Sequence, residues 1–250
     1  MEWFFNLTVV EQTLIATGFA YLLTALGASL VFFCKKIDDN AYAFLTAFAG
    51  GIMLASSFFS LLVPAMESVQ EGEWLTLSLG FFTGALTIIF IEWLSNKWKF
   101  GADKKSKSNF ITCTAVAVHN VPEGMAIGIA FGAGQGVGAL MLAIGIAIQN
   151  LPEGACVSFP LRTSGMGRTK SFLIGQFSGM LEIFAGLAGV LAVSIASAVL
   201  PFALCFSAGA MITVVCSTLM PDSYSANRSI ADIGAILGFV IMMILDLALG

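Results

Sequence analysis

Apolar residues run along this chain in long blocks separated by short polar stretches, and each block has the length of a membrane crossing. Eight blocks can be drawn, at about residues 13–33, 42–65, 74–94, 111–133, 138–160, 171–195, 198–220 and 231–249. Each approaches the roughly 20 residues that cover about 30 Å of hydrocarbon. The glycines and prolines inside them are compatible with helix, because neighbouring helices can satisfy the freed backbone groups. The connections are short, so residues 1–250 read as one transmembrane domain. The pattern predicts an all-α polytopic membrane protein with eight transmembrane helices. The opening MEWFFNLTVVEQ has no positive n-region and no small-residue cleavage site, so the first block is read as a retained span.

Composition and charge sharpen this picture. Of the 250 residues, 58% are hydrophobic and 10% are charged, where a soluble domain carries about a quarter charged. The eleven cationic residues are Lys35, Lys36, Lys97, Lys99, Lys104, Lys105, Lys107, Arg162, Arg168, Lys170 and Arg228. All fall after spans 1, 3, 5 and 7, hence on one side. The opposite side carries Glu2, Glu11, Glu67, Glu71 and Glu73. The positive-inside rule then places the basic loops in the cytoplasm and both termini outside the cell membrane. No basic patch is interleaved with aromatics, which argues against nucleic acid as a partner. Cys34, Cys113, Cys156, Cys205 and Cys216 are scattered without a CxxC. They read as small apolar residues within helices. Gly124, Gly128, Gly132 and Gly136 recur at i, i+4, as do Gly175 and Gly179. Such ridges let helices approach closely in lipid, and could serve a homodimer as well as an internal interface.

Three carboxylates stand where charge is expensive. Glu123, Glu153 and Glu182 fall within spans 4, 5 and 6, and an acidic side chain at bilayer centre costs upwards of ~2.5 kcal/mol on insertion scales. No lysine or arginine accompanies them there. Glu92 and Asp246 lie nearer span ends, within reach of the interface. His119, the one histidine, precedes Glu123 by four residues, and Gln149 precedes Glu153 by the same interval. Residues at i and i+4 share a helix face. Asn120 and Asn150 add an adjacent amide to each segment. Pro122 and Pro152 remove a backbone donor and free the carbonyls of Val118 and Ile148. Imidazole nitrogen and carboxylate oxygen suit zinc at about 2.0–2.2 Å. A lone histidine is often a satisfied core residue and a helix proline often a simple kink. The repetition of the whole arrangement on two successive, oppositely directed spans favours a site at the interface of an inverted repeat.

HNVPEG (119–124) and QNLPEG (149–154), with GGIMLASSFFSLLVPAME in span 2 and Glu182 in span 6, resemble the ZIP (Zrt/Irt-like) family of metal transporters, and its GufA-like branch in particular. The likeness runs over essentially the whole chain. It implies a 3+2+3 inverted-repeat arrangement of the eight helices. It also implies one metal site of His119, Glu123, Gln149 and Glu153, and an adjacent second one of Asn120, Asn150 and Glu182, bridged by Glu123 and Glu153. Family members move zinc, iron, manganese or cadmium towards the cytoplasm. The chain departs from them in three places. The loop NKWKFGADKKSKSN is short, basic and without histidine. Ser217 and Thr218 stand where many relatives have an acidic pair, with Asp222 following Pro221. Gln149 and Asn150 are neutral where a histidine or acid is common.

The expected function is therefore transport of a divalent transition-metal cation. Zinc, or Fe2+, Mn2+ or Cd2+, is the substrate rather than a cofactor, with up to two adjacent ions. Spans 4 and 5, with 2 and 7, would form a bundle moving by alternating access. A channel built from the same ligands and a proton-coupled carrier of an organic solute remain open at this stage. An intramembrane metalloenzyme needs three protein ligands, an open position and a general base. One histidine and no HExxH argue against it.

Overall fold

The computed structural model describes residues 2–34, 36–69, 73–97, 120–163, 165–195 and 199–249. His119, Val118, Cys113 and the loop residues Lys99, Lys104, Lys105 and Lys107 lie outside them, as do Lys35 and Glu71. The described residues form helices and short connections.

A turn of helix, Glu2–Phe5, precedes α1 (Val9–Ser29). Thr8 caps α1 with a reciprocal box. Its hydroxyl accepts from the Glu11 amide at 3.3 Å, while the Glu11 carboxylate accepts from the Thr8 amide at 2.9 Å. This satisfies backbone donors that a helix start otherwise leaves orphaned. α2 (Asp39–Glu67) begins at Asp38, whose side chain accepts from the Asn40 amide at 3.1 Å. Its course widens into a π-helical stretch at Ser57–Leu62, just before Pro64. Then come α3 (Trp74–Lys97), α4 (residues 120–132), α5 (Val137–Thr163) and α6 (Arg168–Ile195).

From Leu200 the chain stays helical to Val214, passes a second π stretch at Val215–Leu219, and continues as Met220–Leu249. Asn227 interrupts that last helix with extended backbone (φ −161°, ψ 106°). Its side chain donates to Asn40 at the start of α2 at 2.6 Å. The parts before and after Asn227 are α7 and α8.

Six stretches of the described residues are long and apolar enough to cross a membrane, where eight spans are expected. The difference has two sources. The first half of the expected span 4 lies outside the described residues. Leu200–Ala248 also runs as one stretch of 49 residues. At 1.5 Å per residue that is roughly 74 Å, more than twice the hydrocarbon thickness, and Asn227 divides it.

The helices mate through glycines whose missing Cβ leaves room for a neighbouring backbone. Gly27 and Gly154 join α1 to α5, lying against the backbones of Leu151 and Thr24. Gly179 and Gly186 set α6 against Thr24 and Thr17 of α1. Gly124 and Gly128 abut the backbones of Glu182 and Gly186, joining α4 to α6. On the other side of the molecule, Gly51 and Gly238 join α2 to α8, and Gly84 and Gly209 join α3 to α7. In lipid, where apolar side chains gain little by leaving the acyl chains, this backbone approach supplies much of the packing. The predicted ridge holds for Gly124, Gly128, Gly132, Gly175 and Gly179. It fails at Gly136, which follows the end of α4 in a turn at φ +53°. There the i, i+4 spacing coincides with a conformation that glycine adopts without cost.

Candidate metal centre

The paired motifs meet in the interior. α4 and α5 are joined by the turn at residues 133–136, and they run as an antiparallel hairpin in which Gln149 of one motif reaches Glu123 of the other. Asn120, Glu123, Gln149, Asn150 and Glu182 are fully buried, and Glu153 is 8% exposed.

Their hydrogen bonds form two groups. Gln149 Nε2 donates to Glu123 Oε1, linking α5 to α4. Asn120 Nδ2 and Asn150 Nδ2 both donate to Glu182 Oε1 at 2.7 Å, tying both helices to α6. Gln149 and Glu123 are drawn from one set that the resemblance implies and Asn120, Asn150 and Glu182 from the other, with neutral amides on a carboxylate in each group. Glu153 lies within electrostatic reach of Glu123 and Glu182 and borders both groups. Glu182 is held in place because Gly124 packs on its backbone, so the residue after the α4 glutamate fixes the α6 glutamate.

One oxygen of each member is unpartnered: Asn120 Oδ1, Glu123 Oε2, Gln149 Oε1, Asn150 Oδ1, Glu153 Oε1 and Glu182 Oε2. Orphaned acceptors of this kind cost about 1–3 kcal/mol each, more when charged. The described partners of Glu123 and Glu182 are amides, not cations. The arrangement thus offers only acceptor oxygens to its interior, which suits a cation. A half-turn of an amide group would add its carbonyl oxygen where its nitrogen now donates. Among the described residues no three His, Cys, Asp or Glu side chains converge to hold an ion. The amides intervene between the carboxylates, and the expected fourth ligand, His119, lies outside those residues.

Two further carboxylates in the helices, Asp246 and Glu92, are paired with serines, a feature the sequence reading missed. Ser60, in the π stretch of α2, donates to Asp246 of α8 at 2.7 Å. Ser217, in the π stretch of α7, donates to Glu92 of α3 at 2.7 Å, with Thr218 3.5 Å away. Ser60 and Ser217 each stand four residues before a proline, Pro64 and Pro221, and this shared spacing was the available signal.

A helical chain with six apolar stretches of membrane-crossing length among its described residues is, by class, a multi-pass membrane protein. The chain belongs to the ZIP zinc transporter family, whose model matches residues 108–246. It is similar to zinc transporter GufA of Myxococcus xanthus, 32% identical over 95% of this chain and 98% of that one. Zinc transporter ZIP11 of Homo sapiens is 31% identical, covering 96% and 98%. Zinc transporter ZIPB of Bordetella bronchiseptica is 32% identical, covering 94% and 80%. The family is one of transporters, not of enzymes, and the chain is an integral membrane protein.

Proposed function

We propose that this chain carries a divalent transition-metal cation, zinc foremost, across the cell membrane into the cytoplasm through the buried cluster of Asn120, Glu123, Gln149, Asn150, Glu153 and Glu182. His119 is assigned as a further ligand, from its place four residues before Glu123 in the sequence. The observation that carries the reading is the set of six unpartnered, buried oxygens on three helices. The relatives' names, zinc transporters all, support the choice of cargo. In this reading residues 1–250 form one domain of eight spans with both termini outside.

The glycine contacts support an inverted repeat. Replacing α1, α2 and α3 by α6, α7 and α8, and exchanging α4 with α5, turns the α1–α5 pair into α6–α4 and the α2–α8 pair into α7–α3. The same exchange turns Ser60–Asp246 into Ser217–Glu92. Such repeats commonly hold their substrate at the interface near the midplane.

Alternating access would then move one block of helices past another. Backbone mating ties α1, α4, α5 and α6 into one block and joins α2 to α8 and α3 to α7 as two pairs, which together would form the other block, rather than α2 and α7 travelling with the site. Contact between the blocks runs through side chains, as where Met242 of α8 lies on Gly145 of α5. Flexible methionines can slide where mated backbones cannot.

Proteoliposomes containing a zinc-sensitive dye test the reading. The wild type should fill the lumen with zinc, and the Glu123→Ala/Glu153→Ala double variant should not. Equal uptake by the two would sink the site assignment.

A further inference from the structure

We propose that Cys156 forms, with Glu153, a second station for a soft divalent cation just beyond the buried cluster, giving this chain a bias toward thiophilic ions such as cadmium. The inference rests on the transport reading above and adds a step to it.

Cys156 follows Glu153 by three residues on α5. That is about 4.5 Å along the axis and on a neighbouring face. With the orientation proposed above, this places the thiol on the cytoplasmic side of the carboxylate. Cys156 is partly buried, and its Sγ lies 3.2 Å from Thr46 Oγ1 of α2. Glu153, more than nine-tenths buried, has Oε1 unpartnered and lies within electrostatic reach of that sulfur. Tyr42 stands one turn before Thr46, and Asp222 of α7 is within reach of both the thiol and Tyr42. Thr46 of α2 and Cys156 of α5 therefore meet at the seam of the two helices, with Glu153 three residues before the thiol and Tyr42 and Asp222 within electrostatic reach. Cys205, by contrast, is buried in an apolar cluster.

The chemistry balances simply. Binding breaks the S–H bond, forms a sulfur–metal bond of about 2.3 Å for zinc, and releases one proton to solvent. The Thr46 hydroxyl then donates to the thiolate. Glu153 Oε1 supplies the second ligand, so the carboxylate is shared between the cluster above and the thiolate below. A thiolate among oxygen ligands shifts preference toward softer ions. The contact between Cys156 and Thr46 also joins the two proposed helix blocks, so a metal held there would sit across the sliding seam.

The test is cadmium titration of purified full-length protein carrying Cys34→Ser, Cys113→Ser, Cys205→Ser and Cys216→Ser. Cadmium chloride should raise an ultraviolet thiolate-to-cadmium charge-transfer band that saturates at one sulfur per chain, and adding Cys156→Ser should abolish it. Should the four-serine protein fail to fold, the difference spectrum between wild type and Cys156→Ser alone reads the same band. In proteoliposomes, Cys156→Ser should lower the ratio of cadmium to zinc uptake by about fivefold, as the loss of a soft ligand predicts. A flat titration of folded protein, or an unchanged ratio, overturns the station. Failure of the wild type to carry either ion would overturn the transport reading instead, and the band would still decide whether Cys156 binds metal.

Discussion

Gln149 on α5 donates to Glu123 on α4, so a neutral amide of one motif occupies one carboxylate oxygen of the other. Removing the amide leaves that oxygen buried without a donor and takes away one carbonyl ligand. Gln149→Leu should weaken zinc binding about 10- to 100-fold, in line with the loss of orienting partners at other metal sites. Equilibrium dialysis with radioactive zinc measures it, and an unchanged affinity would separate Gln149 from the site.

Asn150 shares Glu182 with Asn120, and the pair brings no charge of its own. Asn150→Asp adds a negative charge beside Glu182 and should favour a second ion. The expected outcome is a rise in bound zinc from one toward two per chain, read by elemental analysis after dialysis. The free protein should be less stable, because two buried carboxylates would then lie close together without a cation.

Binding should depend on pH in a definite direction. Carboxylate and imidazole ligands must be deprotonated to hold metal, so zinc binding releases protons and affinity falls as pH is lowered. Linkage requires the two effects to be equal in size. Zinc added to weakly buffered protein should acidify the solution, and the proton count should match the slope of affinity against pH. Binding without proton release would show that the ligands are already ionised in the free protein.

The glycine contacts make a stability prediction with an internal control. A Cβ at Gly128 would meet the Gly186 backbone, whereas at Gly18 nothing lies within 4 Å. Gly128→Ala should cost about 1–3 kcal/mol through overpacking, and Gly18→Ala should lie within about 0.5 kcal/mol of wild type. Reversible denaturant unfolding in mixed micelles compares them.

Orientation can be tested from the two ends of the charge pattern. Glu67 and Arg168 are both exposed, at the end of α2 and the start of α6. In a chain otherwise free of cysteine, Glu67→Cys should react with an impermeant maleimide on intact cells. Arg168→Cys should react only after permeabilisation. The reverse pattern would invert the proposed direction of the whole molecule.

Much of this was legible along the chain, for reasons that lie in particular residues. The four-residue spacing of His119 and Glu123, repeated in Gln149 and Glu153, singles out one face of each segment with Asn120 and Asn150 beside it, and the hairpin brings Asn120, Glu123, Gln149 and Asn150 together in the interior. Gly136 was misplaced because spacing alone does not distinguish a helix ridge from the turn that follows it. The division between α7 and α8 was drawn as a gap over polar residues 221–230, whereas helix persists there and breaks at Asn227 alone. Local polarity marks where a chain meets water, not where its hydrogen bonds stop. The Ser217–Glu92 contact could not be read, because it depends on how α3 and α7 lie side by side, 125 residues apart.

The two π stretches, Ser57–Leu62 and Val215–Leu219, have a consequence for how the chain tolerates length changes. Each π turn holds one residue more than an α turn, which rotates everything beyond it by about 100° relative to an unbroken helix. Deleting one residue there would let the helix relax to regular geometry. It would also swing Pro64 or Pro221, and every side chain after it, onto the wrong neighbour. Point substitutions in these stretches leave that phase intact, so α2 and α7 should accept changes of letter far more readily than changes of count.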